Sequence, residues 1–136
     1  MGYTFDGCFS RDAPSLSDAM SAHWPYARVR AIDKPFRGIG LRLPWEIPDE
    51  TTQELVYRFR DELRDWSRSF PELAFAYVRA ECFGGHCEYE GYVCRNGAIL
   101  FEEELDSKAL GRLMALIGVK LPAGDYFEPF TRKYEW

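Results

Sequence analysis

Two short turn signals constrain this chain more than anything else in it. Asn96-Gly97 is the dipeptide that best specifies a two-residue hairpin, because both central positions of such a turn need positive φ, and Gly84-Gly85 offers a second. Residues 74 to 103 therefore read as a three-stranded antiparallel meander. Each turn also sets a register. The first places Cys82 against Cys87, Glu81 against Glu88, Arg79 against Glu90 and Tyr77 against Tyr92; the second places Tyr92 against Phe101 and Val93 against Leu100.

Alternation divides this sheet into two faces. Ala76, Val78, Ala80, Cys82, Gly91, Val93 and Leu100 share one, whose small side chains allow a helix to approach closely. Phe75, Tyr77, Tyr92, Cys94, Ile99 and Phe101 share the other at the Asn-Gly end, and Arg79, Glu81, Glu88 and Glu90 continue it towards Gly84-Gly85. Half of that second face calls for a cover and half for water or a partner. The clearest helix precedes the meander: Asp49 is placed to cap it, and Thr52, Leu55, Val56, Phe59, Leu63 and Trp66 recur at helical spacing. It is expected to lie on the small-residue face. A second helix is expected from Asp106 as N-cap through Leu110, Leu113, Met114 and Ile117 to Gly118.

Before residue 49 the pattern is broken by Pro14, Pro25, Pro35, Pro44 and Pro48. Ser15 is placed to cap a short helix carrying Leu16, Ala19, Met20 and His23, and Phe36 to Leu43 alternates Ile39, Leu41 and Leu43 in the manner of a strand. The expected fold is α+β: the meander and one earlier strand, a long amphipathic helix and a shorter C-terminal helix, in a single domain of 136 residues. Five aromatics between Gly124 and Trp136 are expected to pack over the aromatic half of the sheet. His23, beside Trp24, reads as a surface or hydrogen-bonded histidine.

No apolar run approaches the length of a membrane span and no signal peptide is visible, which places the chain in the cytoplasm, away from membranes. In that compartment Cys8, Cys82, Cys87 and Cys94 are expected as reduced thiols. The spacing of Cys82 and Cys87 matches neither a C-x-x-C redox site nor paired zinc ligands, so no metal and no cofactor is expected. His86 and Cys87, adjacent in a strand, point to opposite faces and are poorly placed to share a proton. No P-loop, no H-E-x-x-H and no nucleophile paired with a base is present, so no catalytic residue is assigned. The enzymatic alternative is a metal- or thiol-dependent site built from Glu81, His86, Cys87 and Glu88 at the Gly84-Gly85 hairpin.

Charge gives the stronger lead. The chain carries 17 Lys+Arg against 22 Asp+Glu, a net charge of -5, and residues 72 to 105 hold seven acidic side chains to two basic ones. An acidic chain with no basic patch is not a nucleic-acid binder. Glu81 opposite Glu88 costs stability unless something outside neutralises the pair, and such local conflicts gather at functional sites. The expectation is an acidic docking surface for a basic protein, formed by Glu81, Glu88, Glu90, Glu102, Glu103 and Glu104 with Tyr92 or the tail aromatics as anchors.

The segment from residue 77 to 97, with Ala80-Glu81-Cys82-Phe83-Gly84-Gly85 leading to Asn96-Gly97, resembles small bacterial immunity proteins of polymorphic or contact-dependent inhibition toxin systems. The resemblance covers about a sixth of the chain, and Cys82 stands where such relatives would carry an aromatic. It implies a non-enzymatic cytoplasmic antitoxin that binds one cognate toxin, often a nuclease, and blocks it. The charge argument points the same way, since a toxin nuclease must be basic to hold its nucleic acid.

Overall fold

In the computed structural model, residues 3–44, 50–84, 86–121, 127–130 and 134–136 are described. In chain order they form β1 (Tyr3–Arg11), α1 (Leu16–His23), β2 (Arg28–Ile32), β3 (Gly38–Arg42), α2 (Glu50–Trp66), β4 (Ala74–Phe83), β5 (His86–Arg95), β6 (Ala98–Asp106) and α3 (Ala109–Leu116), with short 3-10 turns at Ser67–Ser69 and Glu128–Phe130. The class is α+β. One six-stranded sheet runs in the order β2-β3-β1-β4-β5-β6, and every neighbouring pair is antiparallel.

The meander forms as its turns dictate. Gly84, Asn96 and Gly97 all have positive φ, and β4 pairs with β5 in the expected register from Ala74–Arg95 to Phe83–His86. The β5–β6 register holds only beside the turn, where Cys94 faces Ile99. A bulge then leaves Leu100 unpaired, so Val93 faces Phe101 and Tyr92 faces Glu102; a second irregularity lies between Glu103 and Asp106. One extra residue reverses the side-chain alternation, which carries Phe101 to the face opposite the expected one.

Two strands were not legible, and one of them is central. β1 lies between β3 and β4, and its residues from Phe5 to Ser10 are all buried. A strand buried on both faces lacks polar alternation, and Asp6, Gly7 and Ser10 further disguise this one. Ser10 remains satisfied inside, its hydroxyl donating to the Ala74 carbonyl at 2.9 Å.

The covers of the two faces are exchanged relative to expectation: α2, expected on the small-residue face, lies on the aromatic one, and the tail aromatics, expected there, lie on the small-residue face. α2 lies on the aromatic face, where Val56, Phe59 and Leu63 pack with Cys8, Ile39, Leu41, Phe75, Tyr77 and Tyr92, joined by Leu16, Met20 and Trp24 from α1 and its end. The small-residue face instead takes α3 and the C-terminal aromatics: Ala76, Val78, Ala80 and Val93 pack against Leu110, Leu113, Met114, Phe127 and Trp136. Small side chains on β4 leave room there for bulky partners from β1 and the tail, with Phe5 stacked on Phe9 at 5.4 Å and Phe127 edge-on to Phe9 at 5.3 Å. α3 starts at Ala109, since Asp106 ends β6, and Gly118 with φ 83 follows its C-terminal end as expected. Ser15 precedes α1 without a side-chain capping bond. The Asp49 cap, Gly85, and tail residues 122–126 and 131–133 lie outside the described residues.

Candidate docking surface

The α2 side of the sheet is organised in cross-strand rungs. The first joins Cys8, Tyr77, Tyr92 and Glu102; the next joins Asp6, Arg79 and Glu90; the third joins Thr4, Glu81 and Glu88. α2 closes the first rung. The Tyr92 hydroxyl donates to the Arg60 carbonyl, the Arg60 guanidinium sits 5.4 Å from the Tyr77 ring centre, and Tyr77 stacks on Tyr92 at 5.3 Å. Burial pushes both tyrosine hydroxyls well above their ordinary pKa, so they stay protonated and act as donors.

The second rung is held by one arginine. Asp6 is only 1% exposed. Tyr77 donates to its Oδ1 at 3.2 Å, and Arg79 Nε lies 4.0 Å from the same oxygen. Arg79 also reaches Glu81 at 3.3 Å and Glu90 at 3.9 Å, so a single guanidinium serves three carboxylates. Burial pushes the Asp6 carboxyl up to about 6; Arg79 and the Tyr77 hydrogen bond pull it down, while Glu90 and Glu81 push it further up.

Beyond that rung the face is charged and open to solvent. Glu81 and Glu88 stand directly opposite each other as the register requires, with side chains 39% and 46% exposed. His86 Nε2 lies 3.9 Å from Glu88 Oε1, and Phe83 at the tip is 70% exposed. Glu81, Glu88 and Glu90 are thus brought together on one face, with Tyr92 at its inner margin. Glu102 and Glu104 line a hollow of about 310 Å³ with Arg60, Glu90 and Tyr92 at the β6 side of that face. Glu103 also borders this hollow, but its carboxylate is taken up on the α3 side. Opposite Gly91, it pairs with Arg112 of α3, which also binds Asp106, and its side chain is only 11% exposed.

The hairpin cysteines are joined. Cys82 and Cys87 form a disulfide with Cα atoms 4.0 Å apart, which corrects the expectation of reduced thiols there. The turn register had already placed them opposite each other, one pair in from the turn, close enough for their sulfurs to meet. Joined in this way, Cys87 presents no thiol at the hairpin, and among the described residues no three His, Cys, Asp or Glu side chains cluster so as to hold a metal ion. Cys8 and Cys94 are free and buried, and burial raises both thiols above their usual pKa.

Between α1 and α2 lies a feature that sequence spacing did not announce. His23, Tyr26, Arg58, Glu62, Asp65 and Trp66 line an open cleft of about 500 Å³. Glu62 is its hub: it accepts from Trp24 Nε1 at 3.1 Å and lies 3.8 Å from His23 Nε2. His23 is therefore a partly satisfied surface histidine, edge-on to Trp24 at 4.6 Å. Only the Trp24-Pro25-Tyr26 cluster beside His23 hinted at this contact, because its partners come from a helix far along the chain. Among the described residues no helix is long and apolar enough to cross a membrane. Compared with family models, with curated proteins and with solved structures, the chain finds no match.

Proposed function

We propose that this protein is an immunity-type inhibitor that binds a cognate basic toxin domain, one that acts on nucleic acid, through the acidic end of its α2-side sheet face. The observation that carries this reading is the Glu81–Glu88 rung. Two carboxylates stand opposite each other, half-exposed, while the nearest arginine is already shared with Asp6 and Glu90. Like charges so placed cost stability on their own, and a basic partner turns that cost into a source of affinity and selectivity. Phe83 at the tip supplies exposed aromatic surface beside the charge, whereas Tyr92, expected as an anchor, is 4% exposed and belongs to the packing beneath α2.

The experiment is capture followed by neutralisation. Basic proteins retained by the purified chain at low salt and released at high salt are identified, and cleavage of RNA or DNA by each is measured with increasing amounts of the chain. Stoichiometric loss of cleavage is expected. If every captured protein keeps its activity, or none has any, the inhibitor reading fails.

A further inference from the structure

The two edges of the sheet differ sharply. β2, at one edge, has five residues, and its Arg28 and Arg30 both donate to the Trp136 carbonyl oxygen, at 3.2 and 2.6 Å. β6, at the other, has nine residues, largely exposed, and among the described residues no backbone hydrogen bond beyond the β5 ladder involves it. An open edge presents a row of unpaired N–H and C=O groups that another extended chain can complete.

The surroundings of this edge differ on its two sides. On the α2 side, Glu102 and Glu104 project beside two adjoining hollows of about 310 and 220 Å³ that share Arg60, Tyr92 and Glu102. The acidic residues that line them, Glu90, Glu102, Glu103, Glu104 and Asp61, outnumber Arg60 and Arg64, and of these Glu103 is paired with Arg112. On the α3 side, Arg112 reaches over to Glu103, and Leu116, one helical turn further along the same stripe, is 47% exposed. Leu100 and Leu105 of β6 are 57% and 44% exposed.

We infer that β6 receives a short basic strand of the partner protein as a seventh strand of the sheet, with Lys or Arg side chains over Glu102 and Glu104 and apolar side chains towards Leu116. This rests on the reading above that the partner is basic. The bulges at Leu100 and between Glu103 and Asp106 leave Phe101–Glu103 as the longest unbroken run of β6, beyond the two pairs at the Asn96-Gly97 turn, so the added strand is short and centred opposite Glu102. Strand addition supplies backbone hydrogen bonds, and the two unlike sides select a sequence that alternates basic and apolar residues.

The probe is a blocked peptide alternating Lys and Val, titrated against the whole chain, with amide hydrogen exchange followed at residues 98–106. Binding is expected, with exchange slowed about tenfold or more at 101–103. A Glu-Val peptide should not bind, and Glu102→Lys with Glu104→Lys should weaken the Lys-Val peptide at least tenfold. N-methylation of alternate peptide residues separates strand pairing from simple charge attraction: it should weaken binding at least tenfold when it blocks the paired edge. No binding, binding indifferent to N-methylation, or protection at the Glu81–Glu88 hairpin with none at β6 overturns the inference. Neutralisation of a toxin without protection of β6 would sink this inference and leave the inhibitor reading standing; peptide pairing at β6 in a chain that neutralises nothing would do the reverse.

Discussion

The two ends of the α2-side face are built from the same strands with the same alternation, and they do opposite things. At the Asn96-Gly97 end, Phe75, Tyr77, Tyr92 and Cys94 meet Phe59 and Leu63 of α2, and all are buried. At the Gly84 end, the positions that continue β4 and β5 are Arg79, Glu81, Glu88 and Glu90, with carboxylates between 37% and 46% exposed. The sheet itself does not change between them; the cover does. Where α2 lies, side chains serve stability. Where it stops, they are released from packing and can serve recognition, at some cost to the fold.

That contrast can be broken from the covered end first. Phe59→Ala removes a fully buried ring that touches Trp24 and Tyr77, and should cost about 3–5 kcal/mol in urea unfolding. A loss under about 1 kcal/mol would mean that α2 is not the cover described.

At the boundary stands Asp6, whose folded pKa of about 6 exceeds the ordinary value of 3.8. The folded state then binds a proton more tightly than the unfolded chain, so this group's contribution is fully present below about pH 4 and is lost as pH rises through about 6. The swing is on the order of 2–3 kcal/mol. Stability measured across that window should fall with pH in the wild type and lose most of this slope in Asp6→Asn. An unchanged slope would show that Arg79 fully compensates the buried carboxylate.

Opening the hairpin bridge by Cys82→Ser with Cys87→Ser should cost about 2 kcal/mol, since the disulfide closes a short loop. Thermal unfolding of the two proteins checks it; equal melting would mean that the turn and the strand pairing hold the hairpin unaided.

The smallest effect is the most discriminating because its two readouts move oppositely. Glu88→Lys replaces a like-charge pair with an opposite-charge pair across from Glu81 and should raise stability by up to about 1 kcal/mol. The same change should weaken capture of a basic partner. A variant that loses stability would remove the conflict on which the docking reading depends.

What the sequence disclosed follows the range of the forces involved. Turn and spacing signals were faithful, since Gly84, Asn96-Gly97 and Gly118 each stand where their φ is needed and Leu16, Met20, Ile39, Leu41 and Leu43 are buried as their spacing implied, but the caps expected at Ser15 and Asp106 are not formed. Assignments between distant elements were not faithful. Which helix covers which face depends on the total volume filling each side, and β1, bringing Phe5 and Phe9 to one side and Asp6 and Cys8 to the other, was the missing contributor. The disulfide was legible in the Cys82–Cys87 register, although an argument about compartment had set it aside. Among the acidic residues, Glu81, Glu88 and Glu90 follow from the first turn alone, whereas putting Glu102 rather than Glu103 on the α2 side required a bulge that no local residue announces.

The central claim is that the open acidic end binds a basic protein independently of the fold beneath it. Its most direct test is the affinity of the captured basic domain for the wild type and for Glu81→Gln with Glu88→Gln, which removes the like-charge pair without creating another, measured beside the melting temperature of each. The account predicts that affinity falls by about a hundredfold or more while melting is unchanged or raised. Unchanged affinity in a folded variant would contradict it.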